Sequence, residues 1–355
     1  MLYHWLYQFL DINIFKYITF RAFGAFLTSF FLFLIFAPYV IQKLKKFQNK
    51  TGGYIREYTP DSHKSKKYIP TMGGVLITLT VLISSLLWCR LDNFYCWVTL
   101  FTFLSFSIIG FMDDYLKIKK KTGLSAKTKF GLQVLFSLVI ATALYLYPDF
   151  NTYLYFPIFK TLYIDMGVFF ILWASFIIVA SSNAVNLTDG LDGLAIGPAL
   201  IVATTFAIIA YITGHIILSN YLHLTYISGV GEITVFLMAL LGAGLGFLWF
   251  NAFPAQMFMG DVGSLSIGAV LGLTAVITKQ EFLFALVGAI FVIETLSVIL
   301  QVAYFKITGG KRLFKRAPIH HHFELKGIPE SKIVIRVWII TIIFAIITLA
   351  LIKIR

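Results

Sequence analysis

Long apolar runs separated by short polar segments dominate the chain. Runs of about 20 apolar residues recur near 20–42, 70–90, 94–112, 130–147, 167–187, 192–213, 232–250, 262–278, 282–305 and 333–353. Each has the length that a helix needs to cross roughly 30 Å of hydrocarbon, so the pattern predicts ten transmembrane helices. The period-two alternation of an outer-membrane barrel is absent. Residues 1–18 mix Trp5, Tyr7 and Phe9 with Asp11 and Lys16, which predicts a short helix lying at the interface. Segment 148–166 carries Pro148, Pro157 and alternating Tyr153, Tyr155 and Tyr163, which predicts a small hairpin.

Composition agrees with this reading. With 59% hydrophobic and 13% charged residues, the chain is too apolar for a water-soluble domain. The fold class expected is all-α and integral to the membrane, with residues 1–355 as one polytopic domain. The N-terminus lacks a basic n-region and a small-residue cleavage site, so the first span is expected to direct insertion itself. Cys89 and Cys96 are too few for a disulfide framework and lack zinc-ligand spacing, and read as apolar fillers.

Charge then orients the spans. Lys43, Lys45, Lys46, Lys50, Arg56, Lys64, Lys66 and Lys67 follow span one, and a second lysine group from Lys117 to Lys129 follows span three. A third basic group, from Lys306 to Lys332, follows span nine. The opposite side has little beyond Lys16, Arg21, Arg90, Lys160, Lys279, Lys353 and Arg355. The positive-inside rule therefore puts both termini outside and segments 43–69, 113–129, 183–192, 251–261 and 306–332 on the cytoplasmic face. The net charge of +13 is concentrated there, where anionic lipid or an anionic substrate would feel it. No nucleic acid is expected among the partners.

The unusual polar motifs fall on that same face. Span three ends in Asp113 and Asp114, the turn after span five holds Asn183, Asn186, Asp189 and Asp192, and Asp261 opens span eight. These carboxylates are hard oxygen ligands of the kind Mg²⁺ prefers. With lysines nearby they equip the face for phosphoryl transfer, in which metal and cations neutralise charge spreading over the phosphorus oxygens. Lys66, Lys67 and Lys129 sit at inner span ends, whereas Lys117 to Lys121 read as helix anchors meeting headgroups. Asn183 and Asn186 fit a helix cap or a ligand contact equally well. Asn251 and Gln256 add amides, and Phe258 a flat apolar face.

His320, His321 and His322 read either as a soft-metal tract or solvated loop, or as phosphate contact or proton handling. The last is favoured because histidine is a poor partner for Mg²⁺. Three consecutive side chains cannot all face one ligand. Gly242, Gly244 and Gly246 lie mid-span and read as helix packing. Glu294 lies deep in an apolar run and reads as a structural hydrogen bond, since no second deep charge is evident to pair with it.

Taken together, Pro70-Thr-Met-Gly-Gly74, Gly110-Phe-Met-Asp-Asp114, Asn183-Ala-Val-Asn-Leu-Thr-Asp-Gly-Leu-Asp-Gly193, Gly260-Asp-Val-Gly-Ser264 and Pro318-Ile-His-His-His-Phe-Glu324 resemble the polyprenyl-phosphate N-acetylhexosamine-1-phosphate transferase superfamily. The match is nearest to its peptidoglycan branch, which the histidine motif marks. The resemblance implies ten transmembrane helices in the bacterial inner membrane, periplasmic termini and a homodimer. It implies transfer of phospho-MurNAc-pentapeptide from UDP-MurNAc-pentapeptide to undecaprenyl phosphate, giving lipid I and UMP with Mg²⁺ as cofactor. It further implies Asp261 as metal ligand and, with Asp113, Asp114, His320 and His321, as a catalytic group. Lys66, Lys129, Asn183, Asp189, Asp192, Asn251, Phe258 and His322 are implied to bind substrate.

Three rivals follow from the same residues. A sister enzyme transferring GlcNAc-1-phosphate is disfavoured by the three histidines. A CDP-alcohol phosphotransferase would need a later arginine and paired aspartates that are missing after Asp189-Gly-Leu-Asp192-Gly193. A secondary transporter would carry midplane charges and broken repeats, whereas these acids cluster at span ends.

Overall fold

A computed structural model of the protein describes residues 1–50, 69–148, 150–157, 159 and 162–354. Among them, nine helices are long and apolar enough to cross a membrane. They are α1 (Ile18–Lys50), α3 (Phe94–Lys120), α4 (Ala126–Tyr145), α5 (Phe169–Thr188), α6 (Ile196–Thr213), α8 (Ile233–Asn251), α9 (Gly260–Thr278), α11 (Ala289–Ile307) and α13 (Glu330–Ile354). A further apolar helix, α2 (Gly74–Trp88), has 15 residues. Short helices α7 (Ile216–Tyr221), α10 (Glu281–Val287) and α12 (Ile319–Glu324) complete the set. The chain is an all-α, multi-pass membrane protein.

The order of layers follows from which helices are apolar all round. Every residue of α9 after Gly260 is buried, and α3, α5, α6 and α2 pack around it. By contrast α1, α4, α11 and α13 turn apolar side chains such as Phe31, Val139, Ile299 and Ile346 outward, as lipid-facing helices do. The mid-span glycines of α8 are close-approach positions. A Cβ at Gly242 would run into the Phe26 carbonyl of α1, and one at Gly246 into Phe33. Ser29 of α1 exploits the approach by donating to the Ala239 carbonyl at 2.6 Å.

Residues at the N-terminus form a short helical segment, Tyr3–Phe9, followed by a turn at Asn13–Lys16. The expected hairpin is present as β1 (Tyr153–Tyr155) paired antiparallel with β2 (Tyr163–Asp165), in the register Leu154 to Ile164. Three expected boundaries differ, the first at α1, which runs past 42 to Lys50. The ninth run is broken at Gly288, a poor helix former, into α10 and α11, which pack respectively on α13 and on α5. Helix α3 continues past 112 to Lys120, while α5 ends at Thr188, within a residue of the expected boundary, and takes in Asn183 and Asn186. Polar residues there complete helical turns rather than leave them, because their side chains find partners on neighbouring helices.

Candidate active site

The C-terminal ends of α3, α5 and α8 meet the N-terminal ends of α4, α6 and α9 on one face. Continuation of α3 puts Asp113, Asp114 and Lys117 at i, i+1 and i+4, so all three reach the start of α9. One carboxylate oxygen each of Asp113, Asp114 and Asp261 falls within 4.8 Å of the others, and all three residues are buried. Close approach is what the glycines permit. A Cβ at Gly110 would strike the Asp261 backbone, and Gly260, with φ of 75°, turns the chain into α9.

Two lysines sit among the acids. Lys117 Nζ lies 2.5 Å from Asp113 Oδ2, 3.6 Å from Asp114 Oδ1 and 3.0 Å from Asp261 Oδ2. Lys129, from the first turn of α4, bonds Asp261 Oδ2 and lies 3.7 Å from Asp113 Oδ2. Neutral donors hold the remaining oxygens: Leu124 N–H on Asp113 Oδ1 at 2.7 Å, Val262 N–H on Asp114 Oδ2 at 3.3 Å, and Asn186 Nδ2 on Asp261 Oδ1 at 3.0 Å. Asp114 thus lies at the N-terminus of α9, where free N–H groups and the helix dipole favour an anion. Three carboxylates and two ammonium groups thus share one buried site. This hard-oxygen donor set fits a divalent cation such as Mg²⁺.

Around the acids, backbone pairing clamps two loops together. Phe258 N–H donates to Pro70 O at 2.8 Å, and Gly73 and Gly74 donate back to Phe258 O and Met259 O at 2.8 and 2.9 Å. Phe258 is left half-buried. Asn251 joins the same construction: its Oδ1 accepts from Gly193 N–H at 3.0 Å, and its Nδ2 donates to Met257 O at 2.8 Å. Asp192 accepts from Ala255 N–H at 3.0 Å. Asn251 and Asp192 therefore order the 189–193 and 252–259 loops against each other. Asp189 is half-buried beside them. Asn183 bonds Gln133 at 2.7 Å and the Val179 carbonyl at 2.8 Å. Lys66 lies outside the described residues.

The histidine segment forms α12, and its three rings go to three partners. Buried His320 meets Glu294 Oε2 through Nδ1 at 3.0 Å, while its Nε2 has no hydrogen-bond partner among the described residues and lies beside Gly190. A carboxylate can only accept, so Nδ1 carries the proton in a neutral ring and Nε2 presents a lone pair toward the 189–193 loop. His321 Nδ1 meets Glu324 Oε2 at 3.0 Å, and His322 Nδ1 accepts from Lys315 N–H at 3.1 Å. Burial lowers the His321 pKa although Glu324 opposes the fall, which keeps that ring neutral near pH 7.

Two expectations need correction. Lys117 is no headgroup anchor; it is bonded to the acids, and its i, i+4 spacing from Asp113 was the available signal. Glu294 makes the structural hydrogen bond expected of it, but to a deep partner, His320 of α12, which lies 26 residues later and is invisible to local pattern. Asn186, left open between cap and ligand contact, bonds Asp261 and Ser264.

Comparison with known proteins accords with this geometry. Residues 96–279 match the family model described as glycosyl transferase family 4. The phospho-N-acetylmuramoyl-pentapeptide-transferase of Aquifex aeolicus is 59% identical over 343 residues, covering 97% of this chain and 96% of that protein. Proteins of the same name from Hydrogenobaculum sp. and Oleidesulfovibrio alaskensis are 52% and 51% identical, the former over 97% of this chain and 96% of that protein, the latter over the whole of both. With the acids, lysines and histidine segment assembled on one face and likeness running the length of the chain, the protein belongs to glycosyl transferase family 4 and, within it, to the phospho-N-acetylmuramoyl-pentapeptide-transferase family.

Proposed function

We propose that this protein transfers phospho-MurNAc-pentapeptide from its UDP carrier to undecaprenyl phosphate, giving lipid I and UMP on the cytoplasmic face of the bacterial inner membrane. The observation that carries the reading is the buried trio of Asp113, Asp114 and Asp261 with Lys117 and Lys129 lodged among them. The basic segments on the same face support the cytoplasmic placement and periplasmic termini.

The acceptor is a phosphate monoester with a second pKa near 6, so it is largely dianionic at neutral pH and hardly needs a strong base. Its oxygen attacks the sugar-linked phosphorus of the UDP substrate. The bond from that phosphorus to the bridging oxygen breaks, and UMP leaves with the electron pair. Asp113 positions the acceptor or takes its residual proton, and Asp114 assists through Lys117. Lys117 and Lys129 then have a role beyond neutralising Asp261, because the charge that spreads over the phosphoryl oxygens is greatest in the transition state.

Asp261, with Asp113 and Asp114 beside it, would hold Mg²⁺, which when bound supplies Lewis-acid neutralisation of phosphate charge. Phe258 offers a face for stacking uracil. His320 Nε2 and the 189–193 loop border the site and are read as contacts to the nucleotide sugar, with His321 and His322 nearby on α12. Lys66 would add a further cation. Function as a homodimer belongs to the same reading.

The test is UMP release by the purified protein supplied with undecaprenyl phosphate and Mg²⁺, comparing UDP-MurNAc-pentapeptide with UDP-GlcNAc. Release with the muramoyl donor alone is expected. Release with UDP-GlcNAc alone moves the protein to the sister branch, and release with neither removes the enzymatic reading. Trapping a phospho-sugar enzyme from the nucleotide substrate alone would replace direct attack with a two-step path through an aspartate.

A further inference from the structure

A second polar feature lies at the far end of α9. Eighteen residues separate Asp261 from Lys279, which at 1.5 Å per residue puts them about 27 Å apart, on opposite faces. A cavity of about 370 Å³ opens there, lined in part by Lys279, Tyr95, Tyr147, Phe150, Asn151 and Tyr226. That volume is in the range of pockets that hold small organic ligands.

Its chemistry is one-sided. Lys279 is 1% exposed, yet its Nζ makes no hydrogen bond among the described residues. The rings of Phe150 and Phe170 flank it at 4.1 and 4.4 Å, which offsets part of the desolvation but occupies none of its three N–H donors. Glu281, two residues on, is buried and forms no ion pair with it among the described residues. Burial lowers the Lys279 pKa to about 8, with Glu281 opposing the fall, so the group is still mostly cationic at neutral pH.

The other lining groups are donors too. Asn151 Oδ1 is taken by the Tyr153 N–H at 3.3 Å, which leaves its amide N–H groups. Among the described residues the hydroxyls of Tyr95, Tyr147 and Tyr226 make no hydrogen bond, and no carboxylate lines the cavity. A buried ammonium with unused donors is costly unless something accepts from it.

We propose that this cavity is a binding site for the phosphate group of an amphiphile or a small phosphate ester, on the face opposite the acidic trio. Lys279, Asn151 and the tyrosine hydroxyls take the phosphate oxygens. The aromatic rings cover the glycerol or other organic body, whose presence accounts for a volume larger than an inorganic anion needs. The shared chemistry is a phosphate ester, and its source is either a lipid headgroup or a soluble molecule.

The experiment uses the full-length protein in nonionic detergent. Native mass spectrometry follows retention of phosphatidylglycerol, with diacylglycerol as the phosphate-free control, and calorimetry follows binding of glycerol phosphate. Wild type is compared with Lys279→Met and with Asn151→Leu, a change at a half-buried rim position that the fold should tolerate. Retention of phosphatidylglycerol weakened at least tenfold by Lys279→Met and about threefold by Asn151→Leu supports the site with a lipid occupant. The same pattern for glycerol phosphate alone supports it with a soluble occupant. Equal binding of both phosphates by wild type and the two variants overturns the proposal, as does Lys279-dependent retention of diacylglycerol. Should Lys279→Met fail to fold, the Asn151→Leu comparison decides by the same criterion.

Discussion

The protein buries charge at both ends of its helices and treats it in opposite ways. On one face Arg21 and Glu232 form a two-pronged pair at 2.5 and 2.6 Å, capped by the Trp88 carbonyl at 3.3 Å, with both residues buried. One positive charge meets one negative charge in fork geometry, so the charges cancel, although Arg21 Nε makes no hydrogen bond among the described residues. On the other face three carboxylates meet two lysines, so acids outnumber cations. The first arrangement locks α1 to the start of α8. The second gathers more carboxylates than cations, a donor set that a bound divalent cation would suit. Buried charge alone does not mark a site; incomplete compensation does.

The comparison breaks most clearly at Asp261. Asp261→Asn should lower UMP release about 10³-fold, the scale of losing a principal electrostatic group, and should abolish the paramagnetic signature of Mn²⁺ bound to the protein. The thermal midpoint should fall as well, because Asp261 is the shared partner of Lys117 and Lys129, so release is read per folded molecule. Activity within tenfold of wild type would remove Asp261 from the chemistry. Chelation should stop release as completely, and added Mg²⁺ should restore it.

Arg21→Met asks the converse question. It strands Glu232 and should destabilise the fold by about 3–5 kcal/mol, seen in thermal unfolding in detergent, with UMP release per folded molecule unchanged. The double change Arg21→Met with Glu232→Leu should recover most of that loss. If the double variant is as unstable as the single, the pair is no closed unit.

Smaller effects sharpen the picture at the acidic end. Lys117→Gln should reduce turnover about 10²-fold, whereas Lys119→Gln, on the exposed side of the same helix, should leave it within about twofold. Equal losses would return Lys117 to the headgroup. Glu294→Gln should cost about tenfold in kcat with little change in KM, since an amide can donate to or accept from His320 Nδ1 and no longer selects one tautomer. Nitrogen chemical shifts of His320 should report mixed tautomers in that variant; an unchanged spectrum would deny Glu294 its positioning role.

Much of this was legible along the chain. The apolar periods located the cores of the spans, although nine helices rather than ten are long and apolar enough to cross among the described residues, and α1 and α3 each run eight residues past the expected end. They could do so because each helix must satisfy its own backbone in lipid. Polar interruptions at Asp113-Asp114, Asn183–Gly193 and Asp261 were conspicuous for the same reason. Helix ends were less legible. Helix α3 runs on to Lys120 because Asp113, Asp114 and Lys117 are satisfied by α9 and α4, and no local rule announces partners so distant.

The sequence by itself determined the membrane class, the approximate places of most spans and the set of chemical groups available, since apolar length and charge are local quantities that a bilayer reads directly. Only the tertiary structure decided which groups meet. It joined Lys117 and Lys129 to Asp261, committed Asn251 and Asp192 to ordering loops, brought Glu294 beneath His320 and closed Arg21 on Glu232. Those choices depend on helices packed many residues apart. Their energies lie in distances of a few ångströms, which spacing along a chain does not encode.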